Sequence, residues 1–118
     1  MRVPARLVLV GDTAEIVMPD TVRRGEAFRV SVTPFAGGCR REAARTRVRV
    51  SGTTAEIRPY DSGVRSSHCA SNLLLVPRVV TLRFDQVGTS TVRVHGVGDE
   101  EEVGDGPPVV LERRVVVR

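Results

Sequence analysis

The 118-residue chain predicts an all-β fold, a Greek-key sandwich of about seven strands in two sheets, as a single domain over residues 1–118. Three observations carry this. Hydrophobic residues make up 41% of the chain and are mostly Val, Leu and Ala, with aromatics at 3%, and Val suits a pleated, half-buried surface. They fall in short runs alternating with polar residues, the period of two that a strand requires. Eleven Gly and seven Pro are scattered between those runs, marking frequent turns rather than long helices.

Taken in order, Leu7–Val10 is expected as a short edge strand and Glu15–Met18 as a second, stopped at Pro19 and Asp20. Thr21–Gly25 turns the chain into the central strand from Ala27, where Phe28, Val30 and Val32 share one face and Arg29, Ser31 and Thr33 the other. Gly37 and Gly38 permit a sharp turn beyond Phe35, because glycine tolerates positive φ. Arg40–Arg45 reads as a loop or one helical turn. Thr46–Ser51 alternates with Val48 and Val50 inward, Gly52 breaks it, and Thr54–Arg58 follows as a strand ended by Pro59. From Tyr60 to Pro77 the pattern is lost, apart from an apolar knot at Leu73–Val76 that suits a short helical turn. Val79–Phe84 and Thr89–His95 are expected to pair as a hairpin, with Val80, Leu82 and Phe84 inward from one strand and Val92 and Val94 from the other. Gly96–Pro108 is an acidic hairpin loop, and Val109–Val117 returns with Leu111, Val115 and Val117 inward. Arg113 interrupts that face and implies a bulge or an edge position.

Phe84, Gly88, Val92, Val94 and Gly96 form an F-x3-G-x3-V-x-V-x-G pattern that resembles a segment of bacterial immunoglobulin-like and fibronectin-III-like domains. The resemblance covers fewer than about twenty residues. It implies an immunoglobulin-like β-sandwich serving as an adhesion, spacer or binding module, and it carries no catalytic residue onto this chain. Ser90 stands where many such domains carry the tyrosine of the tyrosine corner.

Cys39 and Cys69 are too far apart in sequence for the close-spaced zinc and thioredoxin motifs, and a disulfide between them is the expected state. Closing a loop of that length stabilises a fold by about 3–4 kcal/mol in the chain-entropy model. A disulfide places the protein outside the cytoplasm, in the periplasm, secreted or attached to the surface. Met1–Val10 lacks the apolar length of a signal peptide, so the signal is expected to be absent from this chain. No stretch reaches transmembrane length.

The formal net charge is +4, and all 18 basic residues are Arg. With the strands at Thr46, Thr89 and Val109 side by side, Arg47, Arg49, Arg93, Arg114 and Arg118 share one outer sheet face, a candidate anion-binding surface. A metal site through Cys39, His68 and Cys69 is a weaker alternative. His68 and Cys69 are adjacent and diverge in extended chain, and His95 falls on an outward position. Asp99, Glu100, Glu101, Glu102 and Asp105 supply oxygen ligands but lack the spacing of a known calcium loop, and read as a solvated acidic turn. No nucleophile elbow or phosphate-binding glycine loop occurs, and catalysis is not expected. The sequence therefore points to a non-catalytic extracytoplasmic interaction or structural module of a bacterium without a cofactor. Its expected partner is another protein or a cell-surface component, not a specific nucleic acid. Polyanion binding and metal binding stand as the alternatives.

Overall fold

The computed structural model describes residues 2–37, 40–41, 44–63, 73–98 and 106–118. Among them every helix or strand element is a strand. In chain order these are β1 (Arg2–Pro4), β2 (Val8–Leu9), β3 (Asp12–Thr13), β4 (Glu15–Val17), β5 (Thr21–Val22), β6 (Phe28–Thr33) and β7 (Phe35–Ala36). There follow β8 (Arg40–Arg41), β9 (Thr46–Ser51), β10 (Thr54–Gly63), β11 (Leu74–Leu75), β12 (Arg78–Leu82), β13 (Gly88–Val97) and β14 (Pro108–Val117). At the loop or helical turn expected over Arg40–Arg45 and the helical turn expected over Leu73–Val76, the described residues include strand: Arg40–Arg41 pairs with Ser62–Gly63, and Leu74–Leu75 pairs with Phe35–Ala36. In both places backbone ladders satisfy groups that a helical turn would have bonded internally.

The larger sheet runs β9, β10, β13, β14, β5, with β1 and β8 on the far part of β10. The smaller runs β12, β6, β4. Their inner faces meet in one core in which Val30, Val32 and Leu82 of the small sheet pack with Ala55, Ile57, Val92, Val94, Val115 and Val117 of the large one. Phe84, just past β12, is buried and stacks on Phe28 with ring centroids 5.9 Å apart. This arrangement is sandwich-like, as the alternation implies.

Three connections differ from the sequence-based expectation. Val79–Phe84 and Thr89–His95 do not form a hairpin: β12 pairs with β6, and β13 pairs with β10 and β14, so residues 83–87 cross from one sheet to the other. Alternation fixes which face of a strand is buried, but not its neighbour. Nor is β9 beside β13. β10 lies between them, antiparallel to β9 and parallel to β13. The strand at Thr54 does not stop at Pro59 but continues to Gly63. At Pro59 the chain changes neighbours, because β13 pairs only as far as Ile57 and β1 takes over at Tyr60. A residue without an N–H costs least where one ladder ends and the next begins.

The N-terminal segment wedges between the diverging β10 and β13. Ala5 N donates to Pro59 O, while Leu7 N donates to Val97 O and Val97 N to Ala5 O. Gly96 permits this approach, since a Cβ there would lie 2.4 Å from Ala5 O and 2.6 Å from Leu7 Cγ. Arg113 sits in an unbroken β13–β14 register opposite Val92, so no bulge is present. It lies on the edge portion of β14, which pairs with β5 only at Val116 and Val117, and it is exposed there.

Candidate interaction face

The outer face of the large sheet carries rows set by register. One row runs Arg49, Glu56, Arg93, Glu112 across β9, β10, β13 and β14. Its charges alternate and partly neutralise one another. Arg93 Nε donates to Glu112 Oε1 at 2.7 Å, and Glu56 Oε1 lies 3.1 Å from His95 Nε2 and 4.0 Å from Arg58 Nη2. His95 thus faces outward, as its position in the pattern requires. At the near end of this face Arg2 lies over the Tyr60 ring, 5.8 Å from its centroid.

The five sequence-predicted arginines lie in one sheet but not in one cluster. Arg93 is paired with Glu112, and Arg114 lies opposite Thr91, two residue pairs away along the sheet. Arg118 follows the end of β14, where its backbone bonds with Val22 and Arg24. Arg47 lies opposite Arg58, near the His95 end. At about 3.3 Å per residue and about 4.8 Å between strands, Arg47 and Arg118 are roughly 30 Å apart at opposite corners. A different group does converge. Arg45, Arg47, Arg49 and Arg58 surround a shallow hollow at the β9 edge with Glu56 as the sole acid lining it. Arg47 and Arg49 make no ion pair among the described residues.

On its core side β9 differs from expectation. Val48 and Val50 face inward, opposite Ile57 and Ala55, yet remain 40% and 42% exposed because the small sheet leaves them half uncovered. The β9–β10 turn is tight, Ser51 pairing with Thr54, and Gly52 at φ 59° occupies the first central position.

Sequence reasoning missed a buried charge pair. The Asp61 and Arg78 side chains are 0% and 7% exposed. Both point into the space between the sheets, and the Arg78 guanidinium donates to Asp61 Oδ1 and to Tyr60 O. A carboxylate and a guanidinium seventeen residues apart leave no periodic signal. The one available clue is that Arg78 begins a strand whose inward positions continue through Val80 and Leu82.

Cys39, His68 and Cys69, and the acidic set Asp99, Glu100, Glu101, Glu102 and Asp105, lie outside the described residues. Among the described residues no helix is long and apolar enough to cross a membrane. No family model matches the chain, and no curated protein or solved structure shows a significant match to it.

Proposed function

We propose that this chain is a non-catalytic extracytoplasmic module, an immunoglobulin-like variant stapled by a Cys39–Cys69 disulfide, that works by binding another protein or a cell-surface component. The observation that carries the reading is the β9 border of the large sheet. There, among the described residues, an unpaired strand edge, two arginines without an ion pair and two half-exposed valines meet. Immunoglobulin-like character is supported by β4–β6–β12 facing β5–β14–β13, and the parallel β10–β13 pair is its departure from that pattern. The disulfide is supported by the ladders around position 39. Ala36 pairs with Leu74 and Arg40 with Gly63, so the chain on both sides is bonded to both ends of the stretch that carries Cys69.

Intact-mass spectrometry after alkylation, with and without reductant, tests the reading on protein purified from an oxidising compartment. Monomer that takes up no label until reduced is the expected result. Two freely alkylated thiols would remove the argument for export. Polyanion binding is favoured at one place, the arginine hollow beside β9. Heparin retention that survives moderate salt and disappears on Arg47→Glu with Arg49→Glu would support it.

A further inference from the structure

Strand edges with free backbone groups are templates for another strand, and folded proteins normally guard them. The longer free edges here belong to β9, β12 and β14. β14 carries Arg113 on its inward face, and β12 carries Arg78 there. An incoming strand at β14 would set its own inward residues beside the exposed Arg113 guanidinium, whereas at β12 the inward Arg78 and Leu82 are already buried and leave little apolar surface to cover. β9 has no such guard: its inward positions are Thr46, Val48 and Val50. Pairing with β10 uses one edge of β9, and the backbone groups on its other edge have no partner among the described residues.

We infer that β9 is a strand-addition site for an extended segment of alternating acidic and apolar residues in a partner protein. This deepens the proposed binding role and rests on it. The alternation follows from the two faces of β9. An added strand would place every second side chain beside Arg47 and Arg49, where carboxylates supply the opposite charge and charge-assisted bonds. The intervening side chains would extend the core face past Val48 and Val50, and apolar residues there would cover the surface now left 40% and 42% exposed. Backbone bonds along the edge would supply affinity, and the alternating side chains would supply specificity. Arg45 extends the basic side beyond Arg47, and Arg58 lies behind Arg47 on β10.

The test uses the full chain with its thiols in the state found by alkylation. A capped octapeptide of alternating Glu and Val is titrated against it, with amide shifts and hydrogen exchange followed by NMR. Saturable shifts and new amide protection over residues 46–51 are expected. Binding should weaken at least about ten-fold in the Arg47→Glu, Arg49→Glu variant, whose unfolding midpoint should match that of the parent. A Lys–Val alternating peptide, and a peptide with four Glu followed by four Val, should not bind. Equal binding by the block peptide would overturn strand addition, and equal binding by the Lys–Val peptide would overturn the charge assignment. Peptide displaced by heparin fragments that bind the same residues more tightly would replace the inference with the polyanion reading. Shifts confined to residues 108–115 would overturn the β9 site while leaving the module reading intact. If no peptide binds and both thiols are free, the inference and the module reading fall together.

Discussion

Truncating Asp61 to Ala is expected to cost about 3–5 kcal/mol, because it strands the Arg78 guanidinium between the sheets with the Tyr60 carbonyl as its remaining hydrogen-bond partner among the described residues. Side-chain exposures of 0% and 7% place this pair with buried ion pairs, not with surface pairs of about 0–1 kcal/mol. With a urea slope of about 1.5 kcal/mol per molar, the unfolding midpoint should fall by about 2–3 M. The converse change, Arg78→Met, should be similarly costly by leaving a buried carboxylate. The double variant Asp61→Ala, Arg78→Met removes both charges and should lie within about 2 kcal/mol of the parent. Equilibrium urea unfolding of all four proteins, followed by far-UV circular dichroism, measures the cycle. A net stability of 5–15 kcal/mol is usual for a domain, so the single variants are best measured near 10 °C. Single losses below about 1 kcal/mol, or a double variant no better than the worse single one, would refute the claim that the pair is sealed between the sheets.

Four further outcomes follow from local geometry. Gly96→Ala should destabilise by about 1–3 kcal/mol in the same assay, since its Cβ would meet backbone at Ala5 and core at Leu7. Val10, exposed and at φ 48° in the two-residue turn between Leu9 and Asp12, should yield about 1 kcal/mol of stability on change to Asn, read as a rise in melting temperature. Ser90 is fully buried with no partner for its hydroxyl among the described residues, so Ser90→Ala should be neutral or stabilising by about 1 kcal/mol by urea midpoint. The exposed Arg93–Glu112 pair should contribute less than about 1 kcal/mol in a double-mutant cycle, and less again as salt rises.

What could be read from the sequence was local. Thr46–Ser51 is a strand with the expected bounds, and the inward assignment of Val30, Val32, Leu82, Phe84, Val92, Val94, Val115 and Val117 agrees with their burial. Period-two alternation encodes a face, and burial acts on faces. Neighbour choice was not encoded in the same way. Nothing local to Val79–Phe84 says that it pairs with β6 across the core rather than with the next strand, and nothing local to Thr54–Gly63 says that it runs parallel to β13. Those choices are made by which inner faces fit together. The candidate site followed the same division. Arg47 and Arg49 were legible as outward residues, but their grouping with Arg45 and Arg58 rather than with Arg114 and Arg118 depends on the interposed β10.

That interposition also explains why β9 is the open border. In a sheet ordered β9, β13, β14 the Val48 and Val50 face would stand over the middle of the core. With β10 inserted, β9 lies one strand spacing, about 4.8 Å, further out, at the rim of the core where β12 covers it only in part. Glu56, opposite Arg49 on the inserted β10, makes its close contacts with His95 and Arg58, and Arg47 and Arg49 form no ion pair among the described residues. Exposed valines on one side of β9 and arginines without an ion pair on the other thus meet at one border. A change that guards the edge should silence both: Val48→Arg, which puts a charge at an inward position as Arg113 does on β14, is expected to abolish binding of the Glu–Val peptide. Because Val48 is already 40% exposed, the loss of stability should stay below about 1.5 kcal/mol, well under the cost at a sealed core position. Undiminished peptide binding by that variant at unchanged fold would show that the valine side of β9 takes no part.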